Sequence, residues 1–275
     1  MRKEKERTKK YGVLLKRSTL FLLIFQILLL SVFLPYSSVL AEGETGKRLT
    51  SFTTYFNGND RGRCANIKLA ASCIDGIRIQ PYGDFSFNAV VGKRTKASGF
   101  QTAKVILDGE YVEGVGGGVC QVSTTLYNAA LLSGMTVTEY HPHSLAVGYV
   151  SPSRDAMVSS VSDLKLFNPF EFTLRLETKV GENWISVAVY GGNNGDSYKI
   201  VSQALEELLP PEPLIKEGEE EKILRAEKNG VKSEAYLETY RYGQLIERKR
   251  IRKDRYAPIQ GIIVKKIDNP TKKMP

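Results

Sequence analysis

The sequence predicts an α+β fold with antiparallel sheets and two principal helices in its main domain, followed by a small all-β module. Three observations carry this. Two segments of helical spacing, about Arg61 to Ile74 and Cys120 to Leu132, stand among many short alternating strands. The strands are joined by tight turns such as Asp108-Gly109 and Gly181-Glu182-Asn183, with no regular βαβ alternation. Beyond the prolines of Leu209-Pro210-Pro211-Glu212-Pro213 no helical pattern returns, and the order of segments gives residues 1–41, 42–192, 193–213 and 214–275 as leader, main domain, linker and β module.

In order, residues 1–41 lie outside the fold. A basic stretch from Arg2 to Arg17, an apolar run from Leu20 to Leu34, and Val39-Leu40-Ala41 before the mature chain read as a signal peptide; an uncleaved membrane anchor is the alternative. Either places the domain outside the cytoplasm, at the outer face of the membrane, in the wall or secreted. Eight basic and two acidic residues in that leader carry +6 of the formal +9, leaving +3, too little to argue for nucleic acid. The cluster Arg248-Lys249-Arg250, Arg252-Lys253 and Arg255 is compatible with anionic wall polymers or with one solvated strand face.

Leu49 to Tyr55 is strand-like. Asn57-Gly58-Asn59-Asp60 offers N-caps to the first helix, whose inward stripe is Cys64, Ile67, Ala71 and Ile74. Cys64 and Cys73, nine residues apart on that helix, would sit on opposite faces about 13 Å apart along the axis. A disulfide needs Cα atoms within about 7 Å, so no bridge is expected. Ile77 to Ile79 and Phe85 to Phe87 alternate as short strands, Val90 to Gly99 reads as a polar loop, and Ala103 to Glu113 is a hairpin. It leads into Gly116-Gly117-Gly118-Val119-Cys120-Gln121, where glycines permit positive φ and close backbone approach before the second helix. That helix buries Val122, Leu126, Ala129 and Ala130 and stops at Gly134. Met135 to Tyr140 is a strand ending at His141-Pro142-His143-Ser144, and strands follow at Asp163 to Phe167, Phe172 to Thr178 and Trp184 to Tyr190. In the last module, Tyr198 to Glu206, Ser233 to Tyr242, Leu245 to Arg252 and Pro258 to Ile267 read as strands.

Cys120, in the first turn of a helix, has a dipole and unpaired N–H groups that favour the thiolate. The chain order Cys120, His143, Asp155 supplies a nucleophile, a base and an orienting carboxylate for acyl transfer. The Val119 and Cys120 N–H groups, with the Gln121 amide, are candidate oxyanion donors. Gly116, Gly117, Gly118, Val119, Gln121, Ser123, His141, Ser144 and Arg154 are candidate binding residues. Two other readings stay open: a non-catalytic pocket for a wall fragment or terminal carboxylate, and a zinc site at His141 and His143 with Cys120 or Asp155. No cofactor is required.

The segments Phe85-Ser86-Phe87-Asn88, Val91-Gly92, Gly116 to Ala130, His143-Ser144 and Arg154-Asp155-Ala156 resemble the VanW domain, over about Ser51 to Gly192. That family takes its name from glycopeptide-resistance gene clusters of Gram-positive bacteria. The resemblance implies an exported cell-envelope protein and supplies no reaction; in the wall the natural acyl group is a peptidoglycan stem-peptide amide. Three positions depart from the pattern: Tyr140 stands where an arginine is common, Ala146 where proline is usual and Ser153 where glycine is usual. The C-terminal strands resemble the extracellular G-five domain, which implies wall-glycan binding; a strand-rich spacer holding the first domain off the membrane is the alternative. Gly218, Gly230, Gly243 and Gly261 fit its pattern, and Ser233 stands at a further position where glycine is common.

Overall fold

The computed structural model describes residues 46–107, 109–192 and 195–266. The expected leader, Asp108 of the hairpin turn and Ile267 of the last strand lie outside them. The first strand, β1 (Lys47–Tyr55), leads to α1 (Arg61–Ile74), where the Asp60 carboxylate accepts from the Arg63 N–H and caps the helix. Then come β2 (Arg78–Ile79), β3 (Asp84–Ser86), a one-turn helix α2 (Phe87–Val91), and the hairpin β4 (Thr102–Leu107) with β5 (Glu110–Val115). The second long helix, α3 (Val119–Leu132), is followed by β6 (Thr136–Glu139), β7 (Lys165–Phe167), β8 (Leu174–Val180) and β9 (Trp184–Gly191). The remaining strands are β10 (Asp196–Leu208), β11 (Leu214–Gly218), β12 (Lys222–Arg225), β13 (Gly230–Arg241), β14 (Gln244–Tyr256) and β15 (Ile262–Lys266).

This is the α+β architecture the sequence predicts, and its sheets are antiparallel except where β11 runs parallel to β15. The main sheet has the order β1-β9-β8-β2, and β3-β7-β6 forms a second, smaller one. The later strands form β10-β13-β14 and β11-β15-β12. Where alternation suggested a strand ending at Phe87, Ser86 instead caps α2 by accepting from the Ala89 N–H, so a helical turn replaces the start of the expected loop.

The core is organised by α3, which packs on β1, β9, α1 and β10. The expected apolar stripe is an underestimate: from Gln121 to Leu131 every residue of this helix is buried. Its polar side chains are satisfied internally. Ser123 Oγ donates to the Ala156 carbonyl, Asn128 Nδ2 to the Arg154 carbonyl, and Thr125 Oγ1 to the Gln121 carbonyl. On α1 the buried stripe is Asn66, Ile67, Ala70, Ala71 and Ile74, while Cys64 is only half-buried and turns toward the Asn57 and Gly58 carbonyls. All three cysteines are free thiols. The hydrophobic core continues into the face of β10-β13-β14 through Ile200, Leu237 and Ile251, and the described residues all belong to one compact unit.

Candidate active site

The glycine run does two separate jobs. Gly116 and Gly118 have φ of +91° and +106°, left-handed values that a side chain opposes. Gly118 is the N-cap of α3, and a Cβ there would lie 3.0 Å from Arg63 Cγ and from Ile67 Cγ1. A Cβ on Gly117 would meet the Lys104 carbonyl oxygen at 2.6 Å. The loop is thus pressed between α1 and the hairpin. Buried Asn66 pins it by donating 2.9 Å bonds to the Gly117 and Gln101 carbonyls, while its own Oδ1 accepts from the Gln101 N–H at 2.7 Å. These contacts fix the start of a helix that cannot move without disturbing the whole core, and Cys120 sits in its first turn at the cleft wall.

His143 and Asp155 converge there. His143 Nδ1 and the His143 backbone N–H both lie 2.7 Å from Asp155 Oδ2, so one carboxylate oxygen fixes both ring and backbone. His143 is 6% exposed and Asp155 1%. The other ring nitrogen is left to act on Cys120, whose thiol His143 holds down; the sulfur itself lies 3.4 Å from the Val158 carbonyl and 3.5 Å from the Val158 N–H. Burial alone would push the Cys120 thiol up; His143, the Val158 N–H at 3.5 Å and the Arg94 charge outweigh it and hold the thiol below its ordinary value. Burial likewise opposes a charged imidazole, but Asp155 and Cys120 overcome it, and the His143 pKa is pushed up to about 9. A lowered thiol and a raised imidazole both favour the thiolate–imidazolium form of this pair.

The carboxylate is itself held from behind by β14. Tyr256 Oη donates to Asp155 Oδ1, and Arg252 donates to the Asp155 carbonyl and, at 3.3 Å, to Oδ1. Arg252 is fully buried, paired with Asp254 at 2.6 Å, and lies over the Tyr140 ring at 4.6 Å from its centroid. Burial would raise the Asp155 carboxyl, but His143, Arg252 and Tyr256 together keep it below the ordinary carboxylate range. Arg252 and Tyr256 were not legible as site residues: both belong to a strand more than ninety positions away whose charge run reads as a solvated face. Other members of that run are matched within the sheet, Arg250 and Lys253 by Glu234 and Arg248 by Glu238.

Cys120 and His143 open onto a cleft of about 780 Å³ walled by the glycine run, the hairpin, the α2–β4 loop and the segment from Val147 to Ser160. Arg63, Lys93, Arg94 and Lys104 line it, and among the described residues no aspartate or glutamate does. Arg94 is held by carbonyl oxygens of Asn88, Gly92 and Ser159 and touches no carboxylate. The Val119 N–H is used by the Gly116 carbonyl, whereas the Cys120 N–H has no acceptor among the described residues. That free donor, beside the sulfur, is positioned for an oxyanion.

Several sequence expectations change here. The Gln121 amide is not an oxyanion donor: its Nε2 is committed to Thr54 Oγ1 and the Tyr55 carbonyl, and its Oε1 accepts from Arg63 Nη2 at 2.6 Å. Gln121 instead anchors Arg63 at the cleft. Ser123 is turned into the core, Ser144 accepts through its carbonyl from the Ala257 N–H, and Arg154 is bound to Asn128 and stacked over Phe52, so these three do not line the cleft. His141 also points elsewhere, to Glu139 at 3.0 Å. The two histidines therefore serve different carboxylates, and no group of three or more potential metal ligands forms among the described residues. Gly116, Gly117, Gly118, Val119 and Gln121 do line the cleft with Cys120 and His143.

Comparison with known proteins places this site in a family. Residues 62–190 match the family model described as VanW like protein. The chain is 46% identical over 123 residues to the uncharacterized protein YoaR of Bacillus subtilis (strain 168), covering 45% of this chain and 40% of that protein. It is 24% identical over 181 residues to the vancomycin B-type resistance protein VanW of Enterococcus faecalis (strain ATCC 700802 / V583), covering 63% of this chain and 64% of that one. The chain thus spans less than two thirds of either relative. Among solved structures, HP0197-G5 aligns over 26% of this chain and 93% of its own at 19% identity; its TM-score of 0.16 carries no argument. Cys120, His143 and Asp155 all fall inside the matched segment, and the domain that holds them, residues 62–190, belongs to the VanW family.

Proposed function

We propose that this chain is an exported envelope protein that acts on peptidoglycan as a Cys-His-Asp thiol amidase or acyl transferase. The observation that carries the reading is the coupled Cys120–His143–Asp155 set at the wall of an open cleft. The Cys120 thiolate attacks the carbonyl carbon of a stem-peptide amide, and the Cys120 N–H receives the developing oxyanion. The C–N bond breaks as the His143 imidazolium gives its proton to the departing amine, leaving a thioester. Water or a second amine then attacks; His143 takes its proton and the thiolate leaves. Asp155 stays ionised and keeps Nδ1 protonated throughout. The leader supports an envelope location, and the basic leader together with the modest charge of the rest supports a wall partner over nucleic acid.

The test is intact-protein mass spectrometry of the full chain incubated with solubilised wall peptides. The reading predicts an acyl adduct on Cys120, release of a new amine, and loss of both in Cys120→Ala. Equal turnover by Cys120→Ala would overturn it. Binding of wall fragments without turnover by either protein would make the cleft a recognition site.

A further inference from the structure

The cleft carries a charge pattern that the acyl chemistry alone does not demand. Its lining contains Arg63, Lys93, Arg94 and Lys104 and, among the described residues, no carboxylate. The acids nearest the chemistry are already balanced: Asp155 by His143 and Arg252, Glu139 by Lys165 and His141. Asp163 accepts from Ser86 Oγ and the Asn88 N–H, outside the lining. Lys93 has no ion pair among the described residues, and Lys104, although opposite Glu113 in the hairpin register, forms none either. Arg63 is held by a neutral amide; Arg94 is held by carbonyls and feels the Asp163 carboxylate, with which it forms no ion pair. The set of Cys120, His143, Asp155, Arg252 and Asp254 is left one charge negative when the thiol ionises, and the four cationic side chains of the lining outweigh it, so the cleft stays positive.

Building on the thiol reading above, we propose that the cleft selects substrates bearing a free carboxylate close to the amide presented to Cys120. Lys93 and Lys104 attract that group, and the fixed guanidinium of Arg63 receives it. An acyl substrate is a peptide, and its anion is a carboxylate rather than a phosphate. A neutral or amidated peptide of the same shape binds less well.

The experiment separates this claim from the nucleophile itself. In the full chain carrying Cys64→Ala and Cys73→Ala, Cys120 is alkylated at low salt with iodoacetate, an anion, and with neutral iodoacetamide. The ratio of the two rates reads the local potential independently of thiolate content. It is expected to fall about fourfold in Lys93→Glu and about tenfold in the Lys93→Glu/Lys104→Glu double variant, and to fall toward those values in wild type at high salt. Calorimetric titration with acetyl-dialanine, its C-terminal amide and inorganic phosphate reads the same preference without the thiol; the free carboxylate should bind tightest. A ratio unmoved by charge reversal, or an amide or phosphate that binds as well, overturns the carboxylate assignment while leaving a reactive Cys120 intact. A thiol unreactive toward both reagents sinks the nucleophile, and the titration then decides the anion preference by itself.

Discussion

Tyr256→Phe removes one oxygen from a site otherwise left in shape. That hydroxyl donates to Asp155 Oδ1 and accepts from the Ser153 N–H at 2.8 Å, and all three residues are buried. A hydrogen bond to a charged group contributes about 1.5–3 kcal/mol, and an orphaned buried N–H adds a cost of about 1 kcal/mol or more, so the variant should lose roughly 2–4 kcal/mol. The loss has a pH signature. The folded-state pKa of Asp155 lies below its ordinary value of 3.8, so its contribution to stability is present above that value and lost as pH falls through the folded pKa. Removing the donor raises the folded pKa, and the gap between wild type and variant should shrink in acid, leaving the Ser153 share. Denaturant unfolding of both proteins at pH 7 and at successively lower pH measures this. A gap under about 0.5 kcal/mol at pH 7, or one that does not change with pH, would refute the claim that β14 holds the Asp155 charge.

Arg94→Met keeps the bulk but removes the nearby charge, so the Cys120 pKa should rise, seen as an upward shift in the pH midpoint of alkylation. Gly118→Ala forces a side chain into φ of +106° and against Arg63 and Ile67; a destabilisation of at least about 1–3 kcal/mol is expected in urea unfolding. Against burial, Asp155 and Cys120 push the folded-state His143 pKa up to about 9, which gives stability that is full below about 6.5 and declines as pH rises through about 9. In pH-dependent unfolding the decline should shrink in Cys120→Ser, which removes one of the groups that hold it up, and vanish in His143→Ala.

The elements that form the site differ in how readable they were. The second helix and its glycine entry are plain in the sequence because a tight turn and a buried helix both demand small or apolar residues at fixed spacing. The order Cys120, His143, Asp155 suggested a triad, but only the return of the chain after β6 brings the imidazole to the sulfur. Ser123, Ser144 and Arg154 lie away from the cleft for separate reasons: Ser123 Oγ is spent on the Ala156 carbonyl, the Ser144 carbonyl takes the Ala257 N–H, and Arg154 bonds the Asn128 amide oxygen. Arg252 and Tyr256 were invisible because their partners are long-range. The serines show this most simply. Ser153, with φ of +60°, and Ser233 each depart from a glycine pattern, and their hydroxyls meet at 2.7 Å. Read singly each is an irregularity; folded, they form one buried contact between β13 and the loop that carries Asp155.

The central claim is that His143 makes Cys120 a nucleophile. Its most direct test is the rate of Cys120 alkylation by iodoacetamide against pH, in the Cys64→Ala/Cys73→Ala protein and the same protein carrying His143→Ala. The account predicts an apparent thiol pKa well below the reference of about 8.5 in the first and a marked rise in the second. A thiol that reacts only on unfolding, or the same midpoint with and without His143, would contradict it.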